Sequence, residues 1–128
     1  MILVDTSVWI EFLSGRPAWK ATPDDLLRFV TCGPVVQEVL QGLKPVPAAV
    51  AFREAFLALP RLADPLPIDL FLEAAEIYRD GRTRGHTIRS SNDCLIAAIA
   101  INQDVPVWHR DRDFTVIARF TRLKIHMP

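Results

Sequence analysis

Cys94 to Ile101 is an unbroken apolar run, and Ser90, Ser91 and Asn92 stand directly ahead of it as helix-capping candidates. A helix that is apolar on every side has no face to give to water, so it reads as buried all round by other elements of the fold. The chain has the material for that, since half of its 128 residues are hydrophobic, and one compact domain spanning residues 1–128 is expected. The same run falls far short of the ~20 residues needed to cross a bilayer. No basic stretch precedes an apolar segment at the N-terminus, so the chain reads as soluble and cytoplasmic, without a membrane partner.

Around this segment, short apolar runs alternate with helical spacings. Ile2-Leu3-Val4 ends abruptly at Asp5 and reads as a strand buried on both faces. Thr6 or Ser7 then caps a helix to about Leu13, with Val8, Phe12 and Leu13 facing inward and Gly15 and Pro17 as stop signals. Thr22, Pro23 and Asp25 form a helix-start pattern, and the helix is expected to run to Thr31. Cys32 to Val36 is ambiguous between strand and helix, and Gln37 to Leu43 is helical.

Further helices are expected over Ala48–Leu59 and over Asp69–Arg79, the latter with Leu70, Ala74, Ile77 and Tyr78 inward. Val105 to Trp108 reads as a strand, Phe114 to Phe120 as a short helix, and Leu123 to His126 as a last strand. The alternation specifies an α/β layered domain with a mostly parallel central sheet flanked by helices.

Composition narrows function only a little. Fifteen basic residues balance fifteen acidic ones, so any attraction to nucleic acid must come from a local patch. Cys32 and Cys94 lie in apolar surroundings without zinc-site spacing and read as buried free thiols.

Chemistry is better sought at the carboxyl ends of the parallel strands, where ligands bind in such sheets. Asp5 follows the first strand directly, and Asp111 and Asp113 follow the strand ending at Trp108. Asp93 stands in the first turn of the buried helix and reaches the same edge only if its preceding loop crosses over. Each has an ordinary alternative: Asp5 and Asp113 as helix caps, and Asp93 as a charge favouring its helix dipole. In extended chain, Asp111 and Asp113 would share one face.

Two unit charges ~4 Å apart repel by about 4 kcal/mol at an effective dielectric near ~20, so crowded carboxylates need compensation. A hard divalent cation such as Mg²⁺ or Mn²⁺ suits an all-oxygen set, and phosphodiester hydrolysis is the natural reaction of such a centre.

Three segments carry a family resemblance: Ile2-Leu3-Val4-Asp5-Thr6-Ser7-Val8-Trp9-Ile10, then Asn92-Asp93-Cys94-Leu95-Ile96-Ala97-Ala98, then His109-Arg110-Asp111-Arg112-Asp113-Phe114. In that order they resemble the signature segments of VapC-type PIN domains, the toxins of bacterial toxin–antitoxin pairs. Gln37-Glu38-Val39-Leu40-Gln41-Gly42 looks like the remaining one.

The resemblance implies a PIN-like three-layer domain and a metal-dependent ribonuclease with Asp5, Glu38, Asp93 and Asp111 as its catalytic acids. Its Mg²⁺ or Mn²⁺ ligands would be Asp5, Asp93 and Asp111, with Asp113 as an extra ligand or an outer partner. Thr6, Ser7 and Asn92 would orient the carboxylates. The family further implies a homodimer, an RNA substrate and a cognate VapB-like antitoxin whose terminal segment covers the site. His109 departs from the pattern, because many members carry Thr or Ser there.

Arg79, Arg82, Arg84, His86 and Arg89 form a basic stretch ahead of the buried helix and are read as RNA-binding candidates, against the alternative of ordinary surface arginines. Two rival readings are a receiver-type signalling domain that accepts a phosphoryl group on an acid, and a catalytically idle PIN module that serves as a scaffold. A receiver would want adjacent acids after its first strand and a late strand ending in Lys; here a single acid follows the first strand and His109 follows the late one.

Overall fold

The computed structural model describes residues 1–15 and 22–128. Strand β1 (Ile2–Val4) is the centre of a three-stranded parallel sheet of order β2-β1-β3, with β2 at Phe29–Val30 and β3 at Val107–Trp108. Ile2 and Leu3 pair with Phe29 and Val30, and Leu3 and Val4 pair with Val107 and Trp108. All three residues of β1 are buried, as an all-apolar strand between two neighbours requires.

Helices flank this sheet: α1 (Thr6–Leu13), α2 (Pro23–Leu26), α3 (Gly33–Gln41), α4 (Pro47–Leu57), α5 (Ile68–Thr83), α6 (Ser91–Gln103) and α7 (Arg112–Ala118). The apolar run lies within α6, where Cys94 and Ile96 to Ala100 are buried. It is enclosed by α5, α3 and α7, which is how a helix without a polar face is accommodated. Both cysteines are free and buried, and burial pushes the Cys32 thiol up to about 12 and the Cys94 thiol up to about 11, so neither is a nucleophile at neutral pH. Among the described residues no helix is long and apolar enough to cross a membrane.

The structure corrects several sequence expectations. The Thr22–Asp25 capping box forms, yet α2 stops at Leu26 after one turn, and Phe29 and Val30 join the sheet instead of continuing the helix. Helix propensity is worth only tenths of a kcal/mol per residue, and burying an aromatic and a β-branched side chain beside β1 outweighs it. In α1 it is Val8 and Trp9 that are buried, while Phe12 and Leu13 are each 41% exposed. Trp9 takes the inner place because its ring meets Phe29, Phe52 and Phe56 edge-on at centroid separations of 6.1, 6.0 and 5.3 Å, tying α1 and α4 to the sheet.

Pro17, one of the stop signals read after α1, lies outside the described residues. Helix α5 continues to Thr83, past the expected end at Arg79, so Arg82 sits on its last turn. Leu123–His126 makes a single parallel bridge, Ile125 with Val107, rather than a full strand.

Candidate functional site

Because β1 and β3 run parallel and in register, their carboxyl ends open at one edge of the sheet. There the Asp5 N–H donates to the Trp108 carbonyl at 2.9 Å. Asp5 is the N-cap of α1, and its Oδ2 accepts from the Ser7 N–H at 3.0 Å and the Ser7 hydroxyl at 2.6 Å. The cap and site readings of Asp5 therefore coexist: one oxygen caps the helix, while Oδ1 is buried without a hydrogen-bond partner. Neither Thr6 nor Ser7 is the cap, as the sequence reading had it.

Asp111 is likewise an N-cap, accepting the Asp113 N–H at 2.9 Å, and α7 begins at Arg112 rather than Phe114. Asp113 therefore lies in the first turn of α7 and is neither the cap nor part of an extended strand face. Its Oδ2 accepts the Ser90 N–H at 3.1 Å, and this bond ties the start of α6 to the start of α7. The crossing loop needed to bring Asp93 to the edge is held in this way. Asp93 is 5% exposed, and its Oδ2 has no hydrogen-bond partner.

Asp93, Asp111 and Asp113 each offer a carboxylate oxygen within 4.8 Å of the others. Burial, and then the charges of Asp5, Asp111 and Asp113, push the Asp93 carboxyl up to about 9. Burial also raises Asp5, although its bonds to Ser7 work the other way. The N-termini of α1, α6 and α7 contribute partial positive charge at this edge, which offsets only part of the repulsion.

Two buried carboxylate oxygens without partners, beside a third and a fourth acid, form a set whose charge a bound cation would compensate. The donors are all hard oxygens, which fits Mg²⁺ or Mn²⁺ and fits a soft metal poorly.

Glu38, half-buried on α3, accepts the Thr6 hydroxyl at 3.0 Å, and its charge contributes to raising Asp5. The two hydroxyls thus divide the work: Ser7 binds Asp5 and Thr6 binds Glu38. Asn92 is next to Asp93 in the chain but lines a groove with Phe71, Tyr78 and Leu95 between α5 and α6, away from the carboxylate set.

His109 Nδ1 accepts the Asp111 N–H at 3.2 Å, and burial lowers its proton affinity, which favours the neutral imidazole. The basic stretch is dispersed. Arg89 Nε lies 3.9 Å from Asp113 Oδ1, Arg79 pairs with Glu76 at 3.4 Å, and Arg84 lies over the Phe120 ring.

The sequence reading missed the place of Ser7 as a junction. Its hydroxyl donates to Asp5 and accepts the Arg110 N–H at 2.9 Å, while the Arg110 guanidinium pairs with Glu11 at 2.9 Å. These bonds lock the segment after β3 onto the first turns of α1, and nothing in local spacing announces a contact across 103 residues.

Residues 2–120 match the family described as the PIN domain. Over 97% of its length the chain is similar to Ribonuclease VapC11 of Mycobacterium tuberculosis, with 39% identity across 130 aligned positions and 96% of that protein covered. Solved structures that share the fold include two VapBC proteins. VapBC2 from Rickettsia felis, bound to a DNA fragment from their promoter, has a TM-score of 0.74 at 17% identity, with 98% of each chain covered. VapBC-5 from Mycobacterium tuberculosis has a TM-score of 0.69 at 21% identity, covering 98% of this chain and 97% of that one.

Proposed function

The chain belongs to the PIN-domain family, in its VapC branch, and from that membership we propose that it is the ribonuclease toxin of a type II toxin–antitoxin pair, cutting RNA phosphodiester bonds with Mg²⁺ or Mn²⁺. The observation that carries this is the buried edge where Asp93, Asp111 and Asp113 converge and where Asp5 Oδ1 and Asp93 Oδ2 lack partners.

Asp5, Asp93 and Asp111 would hold the cation, with Asp113 as a further ligand or as the brace that keeps α6 against α7 through Ser90. Such a cation, when bound, supplies charge stabilisation at a phosphoryl oxygen and a water that ionises near neutral pH. Ser7 fixes the orientation of Asp5, and Thr6 fixes Glu38. With Oε1 held by Thr6, Glu38 keeps Oε2 to accept a proton from water. Arg89, whose side chain is 67% exposed beside Asp113, would meet a substrate phosphate.

For partners, the reading assigns an antitoxin segment to the groove of about 480 Å³ between α1, α3 and α4. That groove is lined by Ile10, Leu13, Val39, Leu43 and Phe52, and it carries Glu38 on its wall, so an occupant would reach the acids. A second copy of the chain is assigned to the exposed stripe Ile68, Phe71 and Leu72 on α5. A toxin that acts on cellular RNA would work in the cytoplasm, and the proposal assigns it there.

The test is cleavage of a fluorescent single-stranded RNA by purified protein with Mg²⁺, with Mn²⁺ and with EDTA, beside Asp93→Asn. Cleavage is expected only with a cation and only with Asp93 intact. Cleavage that persists in EDTA or in the variant would overturn the assignment.

A further inference from the structure

The end of α7 returns the chain to the basic loop that follows α5. There Phe120 packs against Gly81: a Cβ on that glycine would stand 3.3 Å from the Phe120 ring. The His86 ring lies parallel to Phe120, with 7° between planes and 6.2 Å between centroids, and the Arg84 guanidinium carbon is 5.6 Å from the Phe120 centroid. His86 and Phe120 are both half-buried residues, so neither is sealed in the core.

Phe120 is flanked in the chain by Arg119 and Arg122, both exposed. Among the described residues, Arg82, Arg84, Arg119 and Arg122 make no ion pair, whereas Arg79 and Arg89 each have a carboxylate partner. From Arg119 to the C-terminus there is no acidic residue, and Asp80 is the one acid between Arg79 and Arg89. In a chain of zero net charge, Arg84 over the Phe120 ring and Arg119 and Arg122 beside Phe120 in the chain make a local excess of positive charge without carboxylate partners.

This surface is linked to the acidic edge at two points. α7 runs from Arg112 to Ala118, so the Phe120 backbone lies roughly 10 Å along the helix direction from that of Asp113, at 1.5 Å per residue. The loop continues from His86 to Ser90, whose N–H is bound by Asp113.

We propose that Phe120 and His86 form a stacking platform for a base of single-stranded RNA outside the cleaved bond, with Arg84, Arg119 and Arg122 holding the adjoining phosphates. The inference rests on the ribonuclease reading and deepens it by giving the substrate a second point of attachment. Aromatic faces beside a cationic groove bind single strands without demanding a sequence, because every base offers a π-face. Arg119, Phe120 and Arg122 lie outside the basic stretch that the sequence alone marks out, since they join it only when α7 folds back.

The test is fluorescence anisotropy of a labelled single-stranded RNA in EDTA, which separates binding from cleavage, using wild type, Arg119→Gln/Arg122→Gln and Phe120→Leu. The leucine keeps an apolar side chain against Gly81, and circular dichroism checks that each variant is folded. The arginine pair is expected to weaken binding several-fold and to reduce the salt slope by about 1.4, at ~0.7 per single-strand phosphate contact. Phe120→Leu is expected to weaken binding about five- to a hundredfold, as the loss of one stacked base does, with the salt slope unchanged. Wild-type affinity and slope in both variants would overturn the platform while leaving metal-dependent cleavage by the wild type as evidence for the nuclease. Loss of antitoxin binding with RNA binding intact would overturn it in favour of a protein partner. Failure of the wild type to cleave any RNA with a cation would instead strike the underlying functional reading.

Discussion

Ser7 Oγ lies 2.6 Å from Asp5 Oδ2 and donates to it, and the same oxygen accepts the Arg110 N–H at 2.9 Å. One hydroxyl therefore fixes both a carboxylate at the end of β1 and the backbone that follows β3. Replacing it with Ser7→Ala leaves Asp5 Oδ2 with only the Ser7 backbone N–H and leaves the Arg110 amide without its acceptor. A cost of about 1–2 kcal/mol in stability is expected, and cation affinity should fall about 10- to 100-fold, as it does when the outer partner of a ligand is removed. Isothermal titration with Mn²⁺ and thermal melts check the two effects separately. Unaltered Mn²⁺ affinity would show that Asp5 is held by its backbone cap alone.

Asp93 gives the pH dependence of the cation-free protein. Its carboxyl titrates near ~3.9 in an unfolded chain and is pushed up to about 9 in the fold, so the folded state binds the extra proton between those values. The stabilisation is complete below ~4 and is lost as pH rises through about 9. Burial raises Asp5 as well, which adds to the trend. Stability in EDTA should fall with pH by up to about 1.4 kcal/mol per unit for each proton involved. Added Mg²⁺ or Mn²⁺ should reverse the trend, because the cation binds the ionised form. Asp93→Asn should abolish cleavage, flatten the pH profile and raise the melting temperature above pH 7 in EDTA. A wild-type profile that rises from pH 5 to pH 8 in EDTA would contradict this account.

What could be read from the chain follows the range of the forces involved. Leu70, Ala74 and Ile77 were legible as a buried face because helical periodicity is local, and the enclosure of α6 followed from its having no polar face at all. Phe29 and Val30 were misread as helix because their strand exists only through pairing with Ile2 and Leu3, far away in sequence. Trp9 displaced Phe12 and Leu13 from the inner face for the same reason, since its partners lie on β2 and α4.

At the candidate site, Asp5 and Asp111 were visible because each follows a strand of the parallel sheet. Bringing Asp93 and Glu38 to them took the family resemblance, because no local rule predicts the Ser90–Asp113 bond or the Thr6–Glu38 bond. Asn92 shows the limit of reading by adjacency: one residue of helical rotation turns it into the α5–α6 groove.

Thr6→Val isolates the position of Glu38. The Thr6 residue is 7% exposed, and valine keeps its shape while removing the donor to Glu38 Oε1. Glu38 is half-buried and can recover some solvation, so the fold should lose no more than about 1 kcal/mol. The rate should fall about tenfold, with cation affinity changed less than in Ser7→Ala, because Thr6 holds the proton acceptor rather than a ligand. Cleavage rates measured across a Mn²⁺ titration check this: the maximal rate should fall while the half-saturating Mn²⁺ concentration stays close to that of the wild type. Equal losses in rate and cation affinity would instead make Glu38 part of the ligand set.

Gly81→Ala sets two local effects against each other. Alanine inside a helix is ordinarily better than glycine by roughly 1 kcal/mol. Here the added Cβ would lie 3.3 Å from the His86 carbonyl oxygen, from Ile88 Cδ1 and from the Phe120 ring at once. The His86 carbonyl belongs to a backbone whose own N–H is bound to the Gly81 carbonyl at 2.7 Å, and Ile88 is only 2% exposed, so neither can easily yield. Phe120, half-buried, is the neighbour that must move. The helix gain is therefore expected to be cancelled, leaving a net loss of about 1 kcal/mol by urea denaturation, within the range of small overpacking penalties. A net gain in stability would mean that the turn from α5 to His86 is looser than its hydrogen bonds indicate.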